Sequence, residues 1–308
     1  MKKLTYLMVI VTLALFLGLG LFSNPLLVNA TNEFDKEKEV FLNITTVTKP
    51  QYYMVKSLVG DKHNVEYLFK SEDEIEKFKV DENIINNISN IDLFIYTGLN
   101  YEPWINDLIE DLKKSSLGII NISRGVRPLS YDLNAENKEN PYYLLSYNDY
   151  KIALYNIKQA LQERDIKNKD FYENNYDKTI KDLNDSLKAL RGEVSKYKNY
   201  TVVTDTDVFD YIYKDLGINF IKVKDHEIRK ILEEKNIDET KVIFVKDKNH
   251  VKKSNNEDKK ESESEKIEEP LKCETIELVR FNGDISFEEL ILKNTKLVVD
   301  TIKKLPLE

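Results

Sequence analysis

The fifty positions 148–197 hold no strand-like run, and this stretch constrains the fold more than any other. Apolar residues recur at Ile152, Leu154, Tyr155, Ile157 and Leu161, then at Phe171, Tyr172, Tyr176, Ile180, Leu183, Leu187, Leu190 and Val194. That spacing is helical and lays an apolar stripe along the segment. Polar 165–169 is where such a helix would kink or break. Unbroken, it would be about 70 Å long and could run the whole length of a two-lobed protein.

Both flanks alternate between two patterns. On the N-terminal side, the short apolar and β-branched runs 40–47 (VFLNITTV), 64–69 (NVEYLF), 91–96 (IDLFIY) and 117–122 (LGIINI) read as strands. Between them, 52–59 reads as a helix closed by Gly60, 71–90 turns helical towards Ile84, Ile85 and Ile88, and 104–112 puts Ile105, Leu108, Ile109 and Leu112 on one face. On the C-terminal side, strands are expected at 200–203, 219–223, 241–245 and 274–280, and helices at 208–216, 226–235 and 287–305. Strands alternating with helices imply parallel sheets. The expected fold class is therefore α/β: two Rossmann-like lobes, 31–147 and 199–308, joined by a long backbone helix over 148–198, with a cleft between the lobes. Segment 252–269 carries five Lys and seven acids around a single apolar residue, Ile267, and is expected to be a disordered surface loop.

The first thirty residues follow a different logic. Lys2 and Lys3 precede the nearly unbroken apolar run 4–22, and Ser23, Asn24 and Pro25 end it. Val28 and Ala30 occupy the −3 and −1 positions of a signal-peptidase site, so 1–30 is expected to be an export signal cleaved after Ala30. The run is also long enough to stay in the bilayer as an uncleaved anchor. No Cys stands between 20 and 31, so no lipid is expected on the mature end. Removing 1–30 takes away two lysines and no acid, which moves the formal charge from −8 to −10. A chain so acidic has no attraction for nucleic acid or for an anionic membrane surface. Its one cysteine, Cys273, can form no intrachain disulfide. There is no Gly-rich phosphate loop, no GxSxG elbow and no Cys/His nucleophile arrangement, so no enzyme is expected.

Several segments resemble one known family. Residues 91–104 (IDLFIYTGLNYEPW) resemble its ADLVVYNGLGLE-W segment, and Val59-Gly60-Asp61-Lys62 resembles its GD-V turn. Asn140-Pro141, followed by Asn148 onward, resembles the DPH-WLDP lead into its backbone helix. Phe209-Asp210-Tyr211 with Leu216-Gly217 resembles AFGYF…YGL, and Val242-Ile243-Phe244-Val245 resembles VKVIFVE. The chain is thus similar to the solute-binding proteins of zinc and manganese ABC importers. The resemblance implies two lobes closing on one divalent ion, Zn²⁺ or Mn²⁺, in a monomer that delivers it to an ABC permease.

In that family the ligands are His from the first lobe, His at the start of the backbone helix, and His or Glu plus a carboxylate from the second lobe. Here those positions fall on Glu76, Tyr142 and Thr206, the last followed by Asp207, and the final carboxylate falls within 277–284. Three imidazoles are therefore missing. Glu76 and Asp207 are oxygen donors suited to a harder ion; otherwise they are solvated surface acids. A protonated Tyr142 phenol is a poor ligand. His63, His226 and His250 stand at none of the family's positions. The tyrosines 142, 143, 147, 150 and 155 either pack the lobe interface or line a pocket for another ligand. Two functions follow: a metal receptor with an altered site, or a same-fold binding or surface protein that has lost the metal.

Overall fold

The computed structural model describes residues 39–112, 116–131, 133, 138–197, 199–223, 228–249 and 273–305. The expected export signal, the 252–269 loop, His226 and His250 lie outside these residues. The architecture below belongs to the compact unit Phe41–Glu308.

Two four-stranded sheets, all parallel, carry the fold. The first contains β1 (Asn43–Thr48), β2 (Asn64–Phe69), β3 (Leu93–Tyr96) and β4 (Gly118–Asn121), in the order β2-β1-β3-β4. The second contains β7 (Thr201–Thr204), β8 (Asn219–Lys222), β9 (Val242–Asp247) and β10 (Glu274–Leu278), in the order β10-β9-β7-β8. Numbered within its own lobe, the second order is the first read backwards, so one topology occurs twice. In each, the strand order reverses beside the first strand of the lobe, and ligands of open α/β sheets bind outside the carboxyl ends at such a reversal.

The helices cover these sheets. They are α1 (Lys49–Val59), α2 (Glu72–Lys77), α3 (Glu82–Ser89), α4 (Ile105–Asp111), α5 (Tyr147–Arg164), α6 (Lys169–Val194), α7 (Asp210–Leu216), α8 (Ile228–Glu234) and α9 (Phe287–Ile302). Thr48 caps α1 with a full capping box, and Pro50 sits in its first turn, where its missing N–H costs nothing. Gly217 ends α7 in the left-handed conformation.

The helical stretch does break where its polar residues stand. Asp165 leaves helical geometry (φ −129°, ψ 75°), and a 3-10 turn at Ile166–Asn168 reverses the chain. Lys158 of α5 then meets Glu173 of α6, and Tyr155 meets Tyr176, so the two helices pack antiparallel. The long helix is α6, 26 residues or about 39 Å. It packs against both α1 and α9, linking the lobes through one continuous apolar core.

Other boundaries differ in ways that bear on the site. The 40–47 run becomes strand only from Asn43; Val40 and Phe41 precede the sheet and are exposed. Segment 71–90 forms two short helices, because Phe78 turns extended. The last strand stops at Leu278 rather than 280, which leaves Arg280 free of the ladder. A two-residue hairpin, β5 (Ser130–Tyr131) with β6 (Lys138–Glu139), has no pattern in the sequence and was not expected.

Candidate functional site

In a parallel sheet every carboxyl end lies on one edge, so residues just past the strands cluster there. Glu72 follows β2, Gly98 to Tyr101 follow β3, Asp247 ends β9, and Arg280 follows β10. Tyr142 comes from the segment leading into α5. The fold gathers these residues at one cleft.

Arg280 is its centre. The guanidinium Nε lies 2.9 Å from Glu72 Oε2, contributed by the first lobe, and 3.3 Å from Asp247 Oδ2, contributed by the second. These are ion pairs by distance; the Nε–H is aligned on neither oxygen as a hydrogen bond. Nη1 donates to the Tyr142 hydroxyl at 3.0 Å, and Tyr101 donates to Glu72 Oε1 at 2.8 Å. All of this is largely out of water: the side chains of Arg280, Glu72 and Asp247 are 21%, 12% and 4% exposed. Burial pushes the Glu72 carboxyl up, with Arg280 and Tyr101 opposing. Burial works against the Arg280 charge, but Glu72, Tyr142 and Asp247 more than offset it and hold the group more firmly cationic than usual. Burial also raises the Tyr142 phenol far above its ordinary value, so it stays protonated.

Beside this cluster opens a cavity of about 230 Å³, lined in part by Glu72, Glu76, Tyr101, Tyr131, Lys138 and Tyr142. The Tyr131 ring stacks near that of Tyr142, and Tyr101 meets Tyr142 edge-on. Gly98, Leu99 and Asn100 run consecutively at positive φ (83°, 52°, 58°), strained backbone at the mouth of a cleft. Buried Glu102 pins the loop: its two oxygens accept from the N–H groups of Thr97 (2.7 Å) and Gly98 (3.1 Å). Burial raises this carboxyl to about 7 against the pull of those donors.

Of the four expected ligand positions, Glu76 and Tyr142 share the cavity, and Glu76 is exposed. Thr206 and Asp207 do not line it. The Thr206 hydroxyl accepts from the N–H of Val208. Asp207 is fully buried and tied to Lys222 Nζ at 2.7 Å and to the N–H of Leu133 at 2.9 Å. Its backbone carbonyl accepts from Asn140 Nδ2. These bonds dock the hairpin segment on the second lobe. Of the tyrosines, 143 and 150 are fully buried; Tyr143 bonds to the Thr97 carbonyl. His63 is likewise buried, beside Tyr172 and Asp165, and takes no part in the cleft.

Among the described residues no three His, Cys, Asp or Glu side chains stand together as a metal shell. The donors present are carboxylate and hydroxyl, and a cation side chain already lies between them; this does not fit the imidazole-rich site of Zn²⁺. Glu72, Asp247, Tyr101 and Arg280 were not singled out from the sequence. One signal was available: six arginines stand against forty lysines, so each Arg is a candidate for the planar, multidentate contacts that Lys does not make.

Two like-topology parallel sheets bridged by a long helix, with a cleft at their carboxyl edges, define a two-lobed solute-binding fold. The chain belongs to the zinc-uptake complex component A periplasmic family, which matches it over residues 44–276. It is 29% identical over 195 residues to a metal ABC transporter substrate-binding lipoprotein of Lactococcus lactis, covering 60% of this chain and 61% of that protein. It is 25% identical over 198 residues to the high-affinity zinc uptake system protein ZnuA of Bacillus subtilis, covering 59% and 60%. The matched stretch spans about three fifths of the length of these relatives. Among solved structures, the metal-dependent lipoprotein YcdH of Bacillus subtilis superposes with a TM-score of 0.66 at 20% identity, over 84% of this chain and 98% of that one. The Zn(II)-bound ZnuA-like domain of Streptococcus pneumoniae AdcA does so with a TM-score of 0.64 at 20% identity, over 85% and 99%.

Proposed function

We propose that the chain works outside the cytoplasmic membrane as the substrate-binding component of an ABC importer of the zinc and manganese class, with an altered metal cleft. The family match across both sheets supports this most directly. In this reading residues 1–30 direct export, and the run 4–22 keeps the chain at the membrane wherever cleavage does not occur. The mature protein is a monomer of two lobes, 31–147 and 199–308, linked through 148–198. It hands its cargo to a membrane permease, carries out no catalysis and binds no nucleic acid. A divalent ion entering the cleft meets oxygen donors, Glu76 and Tyr142 first; Thr206 and Asp207 contribute only if Asp207 leaves Lys222. Mn²⁺ then competes well with Zn²⁺, because hard oxygen donors do not favour the softer ion.

The test is uptake. Cells lacking the protein should accumulate less Mn²⁺ or Zn²⁺ than their parent, and the intact gene should restore it. Equal accumulation of both ions contradicts the reading. It would leave the second one, a binding protein of this fold that has lost its metal, which the guanidinium in the cleft favours.

A further inference from the structure

We propose that Arg280 supplies the cation of this cleft from within the chain, and that it is the residue that sets the site against divalent ions. The inference rests on reading the cleft as the ligand site. It concerns what that site accepts.

The contacts of Arg280 are those a bound cation would make. It takes one carboxylate from each lobe, Glu72 and Asp247, and the hydroxyl of Tyr142, which occupies a position where the family resemblance implies a ligand. Arg280 itself falls within 277–284, the window that resemblance gives for a carboxylate ligand. The two acids of that window, Glu277 and Asp284, are exposed, and Arg280 is the member whose charge reaches the carboxylates of the cleft.

Charge decides what the cleft accepts. Glu72, Asp247 and Arg280 together carry one net negative charge. Adding a divalent ion would leave the group net positive and force the ion against a guanidinium in a low-dielectric site. Without Arg280, two carboxylates face each other with a charge matched to one divalent ion. The geometry is close as well. Both oxygens lie within 3.3 Å of a single nitrogen. An ion in that nitrogen's place, with metal–oxygen distances of about 2.0–2.6 Å, needs the carboxylates to close in by about 0.3–1.3 Å. Tyr142, whose hydroxyl now meets Nη1 of the same guanidinium, would add a neutral third oxygen by turning towards the ion. An all-oxygen shell of this kind suits Mn²⁺, Mg²⁺ or Ca²⁺ and narrows the advantage that Zn²⁺ has at imidazole ligands. Asp247 also accepts from the N–H of Asn249 at 2.9 Å, which holds its carboxylate in place whether or not the guanidinium is there.

Arg280→Met in the full chain is the direct test. Met keeps apolar volume against the Tyr142 ring while removing the charge. Mn²⁺ is titrated by calorimetry, with Mg²⁺ and Ca²⁺ alongside, into wild type and variant. The variant should bind Mn²⁺ about tenfold or more tightly than wild type, because the ion no longer competes with a tethered cation for two carboxylates. Adding Glu72→Gln or Asp247→Asn to the variant should remove the gain. If Arg280→Met unfolds in the absence of metal, Mn²⁺ should restore its melting transition, and failure to do so overturns the proposal. A folded variant with no gain over wild type overturns it too, as does a gain that survives both carboxylate changes. The uptake test above is independent: a chain that supports metal uptake while Arg280→Met gains nothing defeats this inference alone.

Discussion

The two lobes share one strand topology but compensate their carboxylates differently. In the second lobe the acids at the strand ends have cations from their own chain segment. Lys222 of β8 bridges Asp207 at 2.7 Å and Asp210 at 2.6 Å, and Asp247 meets Arg280. In the first lobe Glu102 is held by the N–H groups of Thr97 and Gly98 and by the Thr97 side chain, with no cation, and the cation that meets Glu72 is Arg280, reaching over from the other lobe. Even small details match between the lobes: Thr46 Oγ1 donates to the Thr48 carbonyl, and Thr204 Oγ1 donates to the Thr206 carbonyl. The scaffold is thus repeated, while the charge pattern on it is not. The first lobe keeps the open, tyrosine-lined cavity, and the second supplies the cations that meet Glu72, Asp207, Asp210 and Asp247.

The largest effect is expected from the second lobe. Lys222→Met leaves Asp207 and Asp210 buried without their shared cation. Unfolding in urea should show a loss of about 3–5 kcal/mol, as for any buried pair stripped of one partner. A loss below about 1 kcal/mol would mean these acids are solvated, and the contrast between lobes would fail.

In the first lobe the corresponding change should cost less. Glu102→Ala strands two backbone donors at the Thr97–Gly98 turn, for roughly 2–3 kcal/mol. Gly98→Ala acts on the same turn. Its new Cβ would stand 2.2 Å from Asn121 Oδ1 and 2.5 Å from Ser123 Oγ, at a φ of 83°. About 1–3 kcal/mol is expected, measured by thermal melting. If Gly98→Ala leaves both the melt and the cavity's ligand response unchanged, the strained loop is not positioned by this glycine.

The smallest effect is on pH dependence, and two groups oppose each other. Burial lowers the His63 imidazole below its usual 6.5. The unfolded chain therefore takes up the proton first, so this stability is complete above 6.5 and is lost as pH falls below it. Glu102 has the reverse sign. With its carboxyl raised from 4.5 to about 7, the folded state holds the proton longer, and stability falls as pH rises between those values. Removing the histidine with His63→Phe should leave the Glu102 slope alone: melting temperature should decline from pH 4.5 towards 7. A variant that instead gains stability over that range would reverse the sign assigned to Glu102.

Much of the scaffold was legible from residue pattern, because periodicity is local. The alternation of apolar runs and amphipathic segments gave both sheets, and polar Asp165 to Lys169 marked the break between α5 and α6. The site was less legible, because its contacts are long-range. Glu72 and Arg280 meet across 208 positions, and only the parallel topology brings their strand ends to one edge. Resemblance pointed to Glu76, one turn further along α2 than the acid that reaches Arg280. His63 looked like a turn residue, since its partners Tyr172 and Asp165 stand more than a hundred positions away. Nothing local in Ser130–Tyr131 or Lys138–Glu139 announces a hairpin; the bonds from Leu133 and Asn140 to Asp207 tie that segment down.

The central claim is that the cleft already holds its cation. Titrating Mn²⁺ into the wild-type protein, and following free Mn²⁺ by electron paramagnetic resonance, addresses it most directly. If Arg280 occupies the cleft, the free-ion signal should grow almost from the first addition, with only weak, saturable loss to the protein. If the signal is instead quenched one ion per chain until equivalence, a divalent ion displaces or bypasses the guanidinium with ease; Arg280 then does not set the site against divalent ions, and the importer reading stands without it.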